Sequence, residues 1–247
     1  MSNSALVSYT QISPNKNSPR NQAIDRISIH CVVGQCTVER LGEIFAPSSR
    51  QASSNYGIGL DGRVGMYVEE KDRSWCTSSG ANDHRAVTIE VASDTAHPYA
   101  VKDAAFSALL DLCTDICKRN GKKRLLWFGD KDKTLAYTPG ADEMVLTVHR
   151  WFANKACPGE YLYSRHGEIA EEVTKRLAEA DKPAGTGDNP SKWAETATAY
   201  CKRKGIFAGD GAGNFDWQEP ISREQVAAVI YRTLEAAGLL EALPDKA

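Results

Sequence analysis

Residues 147–159 place an imidazole, an amine and a thiol close together in the chain. His149, Lys155 and Cys157 lie within nine residues, and a Pro-Gly pair follows the thiol directly. Because Pro-Gly breaks regular structure, Cys157 is predicted to lie on a loop. Imidazole and thiolate are common ligands of zinc. The stretch therefore predicts part of a metal site, and it requires a fold that brings a further ligand to the same point.

The missing ligand has to come from elsewhere, because a catalytic zinc takes three protein ligands and keeps one position open for water. His30 is the candidate, since it ends the apolar run 26–30, which indicates a buried strand. A ligand at a strand end is held rigidly, as a catalytic site requires. On residue types alone, however, a lone His beside a lone Cys is more often part of a core or a surface.

Five short segments around these residues resemble one known family. They occur in order as Ile29-His30, Asn55-Tyr-Gly-Ile-Gly59, Asp61-Gly-Arg-Val64, Val87-Thr-Ile-Glu90 and His149…Lys155-Ala-Cys-Pro-Gly159. Together they look like the type 2 N-acetylmuramoyl-L-alanine amidases, the zinc amidases that include phage lysozyme-like amidases and peptidoglycan recognition proteins. The resemblance covers roughly residues 20–178.

This resemblance implies a zinc centre and a proton carrier. His30, His149 and Cys157 match the ligand positions, so Zn²⁺ is the implied cofactor. Glu90 stands where similar proteins carry a carboxylate, and the resemblance implies that it acts as general base and acid. Without the resemblance, Glu90 would be interpreted as a solvated residue at a strand end.

Five further residues receive roles at the predicted site. Lys155 matches a cationic or imidazole group and is implied as the donor to the oxyanion, while Tyr56 matches a tyrosine that some members carry near the metal. Trp75, Asn82 and Trp151 are predicted to contact sugar or peptide. The structural alternatives are a solvated loop lysine and aromatic residues packed in a core.

The chain departs from the family at two cysteines. Cys31 follows His30 where some relatives have a second histidine, and a thiol there would compete for metal or oxidise. Cys76 stands where relatives often have a histidine, so this chain does without that group. His84 lies near the predicted groove with no assigned role.

Composition excludes several classes of protein. The 247 residues suffice for one medium domain and a small one. The net charge of −2 provides no overall positive potential that would attract nucleic acid. No apolar run approaches the roughly 18 residues that span a membrane. The N-terminus has neither a basic region nor a long apolar region, so no signal peptide is expected. Seven cysteines, an odd number, indicate reduced thiols in a cytosolic setting.

Hydrophobic periodicity predicts an α/β (α+β) fold, with a central mixed β-sheet flanked by helices and a small C-terminal helical domain. The predicted elements are strands at 24–33, 86–91 and 124–128, a hairpin with strands 53–60 and 63–68, and helices at 38–45, 101–120 and 160–180. The strand 86–91 is expected to be central, because it is almost continuously apolar. Residues 1–23 are predicted as an extended lead-in and 130–142 as a flexible loop. Cys113 and Cys117 lie four residues apart on one side of the helix 101–120 and are interpreted as core residues, with a metal site or a disulfide as the alternative.

The C-terminal part is predicted to be a separate unit. Residues 1–180 form the predicted zinc amidase domain, 181–190 a linker rich in Pro and Gly, and 191–247 a helical domain. Its pattern, Trp193-Ala…Gly-Ile…Gly-Asp-Gly…Phe…Pro-Ile-Ser-Arg-Glu224, is similar to an S-layer homology repeat. This implies binding to a secondary cell-wall polymer. Because such repeats usually occur in threes and one is present, a homo-oligomer is also considered, as is packing on the amidase domain.

Together these features predict an enzyme that cleaves the amide between N-acetylmuramic acid and L-alanine in bacterial peptidoglycan. A wall-binding unit without a signal peptide indicates a phage or prophage endolysin, held in the host cytoplasm until lysis and then active at the cell wall. Two alternatives are a non-catalytic peptidoglycan recognition protein and a cytoplasmic muropeptide-recycling amidase. The intact ligand set argues against the first, and the C-terminal unit argues against the second.

Overall fold

The computed structural model describes residues 2–180, 189–211 and 213–240. The chain divides into two units, Met1–Asp181 and Lys182–Ala247. Residues 181–188, which make up most of the predicted linker, lie outside the described residues.

The first unit is built on a mixed sheet. The described strands are β1 Val7–Thr10, β2 Lys16–Asn17, β3 Arg26–Cys31, β4 Tyr56–Ile58, β5 Val64–Met66, β6 Arg73–Ser74, β7 Ala86–Val91, β8 Arg124–Leu126 and β9 Glu143–Thr147. Seven of them form one sheet in the order β1-β5-β4-β7-β3-β9-β8, and β2 pairs with β6. Within the seven-stranded sheet only the pair β4–β5 is antiparallel.

Strands β3 and β7 form the centre of this sheet. All six residues of β3 are buried, and β7 lies between β3 and β4. Strands covered on both faces need apolar residues along their whole length, which explains the almost continuous apolar run of β7. The central position expected for residues 86–91 is confirmed. The parallel register places His30 beside Glu90.

Helices cover the sheet. In the first unit they are α1 Val38–Phe45, α2 Gly80–Asp83, α3 Asp103–Arg119, α4 Lys131–Ala136, α5 Gly159–Ser164 and α6 His166–Ala180. Helix α3 packs against α6 and buries Leu109, Leu112 and Ile116 in the core. Cys113 and Cys117 are fully buried on the same helix, which confirms their predicted core position. No helix in the described part of the chain is long and apolar enough to cross a membrane.

Three predicted segments have more structure than the sequence indicated. The lead-in contributes β1, which pairs in parallel with β5 at the sheet edge. The predicted loop 130–142 contains α4, because the Asp130 side chain caps it by accepting a hydrogen bond from the Lys133 amide at 2.7 Å. The predicted helix 160–180 is two helices that meet at Arg165. Strand β1 has four residues and α4 six, too few for a hydrophobic period to be recognised in the sequence.

The second unit contains two described helices, α7 Glu195–Arg203 and α8 Arg223–Ala237. Ser222 and Gln225 form a capping box at the start of α8. Gly238 ends the helix with a φ of 69°, a conformation that favours glycine. Aromatic residues fill the connecting segment, where the rings of Phe215 and Trp217 stack at 5.1 Å.

Candidate functional site

The three predicted metal ligands meet at the carboxyl ends of the central parallel strands. His30 lies near the end of β3, His149 begins a short 3₁₀ helix just after β9, and Cys157 precedes α5. One donor atom from each residue lies within 4.8 Å of the others, and Cys157 Sγ is 3.3 Å from His30 Nδ1. Donors around a tetrahedral zinc are about 3.3–3.6 Å apart, so a small contraction would complete the set around an ion.

Serine hydroxyl groups contact the Nε2 atom of both imidazole rings. His30 Nε2 is 3.2 Å from Ser28 Oγ, and His149 Nε2 is 2.9 Å from Ser78 Oγ. A metal-binding histidine commonly uses its second ring nitrogen in this way, which leaves Nδ1 of each ring for the ion. Ser28 lies two residues before His30 on the same face of β3, so strand alternation could have indicated it. Ser78 is 71 residues from its partner, and no local signal indicated it.

The protonation states of these ligands suit a divalent cation. Burial, and next the charge of His149, lower the pKa of His30 to about 3. Burial, and next Lys155, lower the pKa of His149. The hydrogen bond to Cys31, and next burial, hold the pKa of Cys157 above its usual value. Neutral imidazoles are ready to bind metal, while the thiol would release its proton as the ion binds. The residues therefore fit zinc.

Glu90 lies beside this donor set. Its Oε1 is 4.0 Å from His30 Nδ1 and 3.8 Å from Cys76 Sγ, and its buried Oε2 has no hydrogen-bond partner among the described residues. Burial, and next the charge of the Cys31 thiol group, raise the pKa of Glu90 to about 8. A buried carboxyl group with one free oxygen and a pKa near neutrality suits proton transfer.

A second possible donor set consists of His30, Cys76 and Glu90, whose ligand atoms also lie within 4.8 Å of one another. Burial, and next the charge of Glu90, raise the pKa of the Cys76 thiol well above its usual value. In this set the Cys76 thiol donates to the Glu90 carboxyl group.

Two adjoining depressions flank the centre. A cavity of about 520 Å³ is lined by Glu90, His149, Lys155 and Trp75 among others, and Lys155 is exposed there. A groove of about 930 Å³ is lined by Asn82, Trp151 and His84 among others. The two share Ser78 and Ser79. The structure thus places Lys155 and Trp75 in the cavity that Glu90 and His149 also line, and Asn82 and Trp151 in the adjoining groove.

Tyr56 does not belong to the site, and we drop the prediction of a catalytic role. It pairs with Ile89 in the β4–β7 register, so its side chain points to the sheet face opposite Glu90. Its hydroxyl donates to Glu70 at 2.7 Å and accepts from the Ser4 amide at 2.9 Å. The residue therefore holds a buried polar network instead of contacting the metal centre.

Family models match both parts of the chain. A family model for N-acetylmuramoyl-L-alanine amidase matches residues 14–160, and a model for the S-layer homology domain matches residues 188–227. The comparison with curated proteins gives no match.

Several solved structures are similar to this chain. They include the N-acetylmuramoyl-L-alanine amidase LysC from Clostridium intestinale URNW (17% identity, 70% of this chain and 95% of that chain, TM-score 0.45). The endolysin of Thermus scotoductus bacteriophage Ph2119 is 16% identical (64% and 89%, TM-score 0.41). Drosophila peptidoglycan recognition protein SA is also 16% identical (61% and 81%, TM-score 0.44). Because the amidase model spans more than half of the sequence, the chain belongs to the N-acetylmuramoyl-L-alanine amidase family, and it also carries an S-layer homology domain.

Proposed function

We propose that the protein hydrolyses the amide bond between N-acetylmuramic acid and L-alanine in bacterial peptidoglycan, with zinc held by His30, His149 and Cys157. One observation carries the proposal: the three donor atoms converge within 4.8 Å beside Glu90, whose buried Oε2 is unpartnered. Membership of the amidase family supports the choice of bond.

Each side chain of the site has its own role in the proposed amide hydrolysis. A zinc ion bound here would polarise the amide carbonyl and lower the pKa of a water molecule. The ionised form of Glu90 takes the proton of the attacking water, and the carboxyl group then delivers it to the leaving amine. Because burial raises the pKa of Glu90 to about 8, the carboxyl group retains the transferred proton until the amine leaves, and the ionised fraction that acts as the base grows as the pH rises toward 8. Lys155 places its ammonium group at the cavity wall, where it stabilises the oxygen that gains negative charge.

We further propose that the second unit binds the cell wall. A groove of about 610 Å³ in this unit is lined by Phe207, Phe215, Trp217 and Arg232, among others. Aromatic faces suit sugar rings, and a guanidinium suits the anionic groups of a secondary wall polymer. A wall-bound amidase fits a phage or prophage endolysin that stays in the host cytoplasm until lysis. It fits a muropeptide-recycling enzyme less well, because small soluble substrates need no wall anchor.

Self-association of this unit is the second candidate. Trp193 is 89% exposed, and Ile230 and Tyr231 are 55% and 54% exposed. These exposed apolar side chains are the candidates for a contact between copies of the chain. Removing residues 182–247 should reduce binding to intact walls while turnover of soluble muropeptides persists. Light scattering of the full chain then decides whether a homo-oligomer forms through this surface.

Digestion of purified peptidoglycan tests the proposed activity. We expect new N-terminal alanine without new reducing sugar ends. Cys157→Ala should lose both the activity and the bound zinc. Wall binding and bound zinc without any new amine would instead make the protein a recognition protein, and new reducing ends would make it a glycosidase.

A further inference from the structure

Two thiols meet at the metal centre, and only one of them belongs to the proposed ligand set. Cys157 Sγ lies 3.3 Å from His30 Nδ1. The next residue of β3, Cys31, shares a side-chain hydrogen bond with Cys157, and the Cys31 amide donates to the same sulfur. Neither cysteine forms a disulfide. The Cys157 sulfur therefore has both a metal-binding nitrogen and a second thiol among its immediate neighbours.

The fold holds this pair of thiols in place. Cys31 is the last residue of the central strand β3, where it pairs with Val91, and 6% of it is exposed. The Cys157 carbonyl accepts a hydrogen bond from the Arg150 amide at 3.2 Å, and the Cys157 side chain packs against the hydrophobic core that includes Cys31. Because both backbones are fixed with the sulfurs in contact, the two thiols are positioned to react with each other.

The Cys157 sulfur can serve a metal ion or a disulfide, but not both. A cysteine ligand has to be a thiolate, and a sulfur that is part of a disulfide has no thiolate to offer. A chain with Cys31 linked to Cys157 would keep His30 and His149, one ligand fewer than the three protein ligands of a catalytic zinc. Conversely, a bound ion would occupy the sulfur. The linked state and the metal-bound state therefore exclude each other.

We propose that Cys31 and Cys157 form a reversible disulfide that removes the metal ligand and inactivates the enzyme under oxidising conditions. The inference rests on the proposed amidase function and its zinc centre. A peroxide is the oxidant. One thiol reduces the peroxide and becomes a sulfenic acid, with release of one water molecule. The second thiol then attacks the sulfenic sulfur, and the S–S bond forms as a second water molecule leaves. A dithiol restores both thiols and is itself oxidised to a disulfide.

Two other cysteines near the site have different neighbours. Cys76 donates to Glu90 at 3.8 Å. Cys36 packs against a separate hydrophobic cluster that includes residues of α1, and it is half-buried, whereas Cys31 is buried. Because unspecific oxidation favours accessible thiols, it would affect Cys36 before Cys31. Cys36 is therefore the matched control for an effect that depends on the contact between Cys31 and Cys157.

Disulfide mapping of the full chain tests the proposal. After chelator treatment and exposure to hydrogen peroxide, we expect a cross-link between Cys31 and Cys157, a chain lighter by two hydrogen atoms, and a loss of zinc binding that a dithiol reverses. Zinc at about 10 times its Kd should slow the cross-linking about 10-fold, because the fraction of free Cys157 falls in proportion. Cys31→Ala cannot form the cross-link and should show no loss of zinc that the dithiol reverses. Cys36→Ser should respond like the wild type.

The outcomes also separate this inference from the proposed function. Oxidation of Cys157 to a sulfinic acid beside a reduced Cys31, a link to another cysteine, or full zinc binding by the linked chain overturns the inference. So does a reversible loss of zinc in Cys31→Ala that equals the loss in the wild type. Reversible zinc loss through the cross-link supports the inference even if the reduced, zinc-loaded chain cleaves no peptidoglycan, a result that refutes the amidase proposal alone. Mapping of the wild type decides the matter even if Cys31→Ala fails to fold.

Discussion

Acid should destabilise the first unit through His166. The imidazole is fully buried against Trp127, with ring centroids 4.6 Å apart. Its Nδ1 donates to the Leu162 carbonyl at 2.6 Å, and its Nε2 has no partner among the described residues. Burial outweighs this hydrogen bond and lowers the pKa of His166 from 6.5 to about 4. The ring is therefore neutral in the folded protein at neutral pH.

The sign of the effect follows from proton uptake by the two states. The unfolded chain binds a proton at His166 near pH 6.5, whereas the folded chain binds it only near pH 4. Between these values the unfolded state holds more protons, so the free energy of unfolding falls as the pH falls. The difference between the two pKa values corresponds to a total decrease of roughly 3 kcal/mol in the free energy of unfolding. About 2.5 kcal/mol of this decrease falls between pH 7.5 and pH 4.5.

A volume-conserving variant isolates this contribution. His166→Phe keeps the ring against Trp127 but cannot take up a proton. Urea unfolding of the chelator-treated wild type and variant, followed by circular dichroism at pH 7.5 and 4.5, gives four free energies. Other groups titrate in both proteins, so their contributions cancel when the losses of the wild type and the variant are compared. We expect the wild type to lose about 2.5 kcal/mol more than the variant on acidification. Equal losses would refute the assignment of a neutral, strongly buried imidazole.

Three further substitutions test the site. Glu90→Gln should lower kcat about 10²- to 10⁴-fold with zinc content unchanged, because the side chain can no longer carry a proton; a variant that keeps wild-type kcat excludes Glu90 as the proton carrier. Ser78→Ala should weaken zinc binding about 10- to 100-fold in competition with a chelator, because His149 loses the hydroxyl at Nε2; unchanged affinity would show that the contact does not position the ring. Tyr56→Phe should lower the free energy of unfolding by about 1–3 kcal/mol, because Glu70 and the Ser4 amide lose a buried partner, while kcat stays the same; a large loss of kcat at unchanged stability would return Tyr56 to the active site.

The central elements of the fold could be predicted from the sequence, because their buried apolar residues recur at a regular spacing. Val87, Ile89 and Val91 give the strand 86–91 one wholly apolar face, and the helix around Leu109 and Ile116 has one continuous apolar side. Strand β1 and helix α4 were not predicted, because β1 is an edge strand with alternating exposure and α4 is defined by the Asp130 cap.

The site was predictable only in part. The three metal ligands were predicted from the resemblance to a family. Residue types alone indicated a core or surface position for them and not a metal site. The role given to Tyr56 was wrong because closeness to a motif in sequence does not determine which face of a strand a side chain occupies.

Titration of the chelator-treated protein with zinc tests the central claim most directly. The rate at which new N-terminal alanine is released from peptidoglycan is measured at each zinc level, with Cys157→Ala in parallel. We predict that the rate starts near zero, rises linearly and reaches its plateau at one zinc per chain, while the variant stays inactive. Full activity before zinc is added, or an active Cys157→Ala protein, would contradict a catalytic centre built from His30, His149 and Cys157.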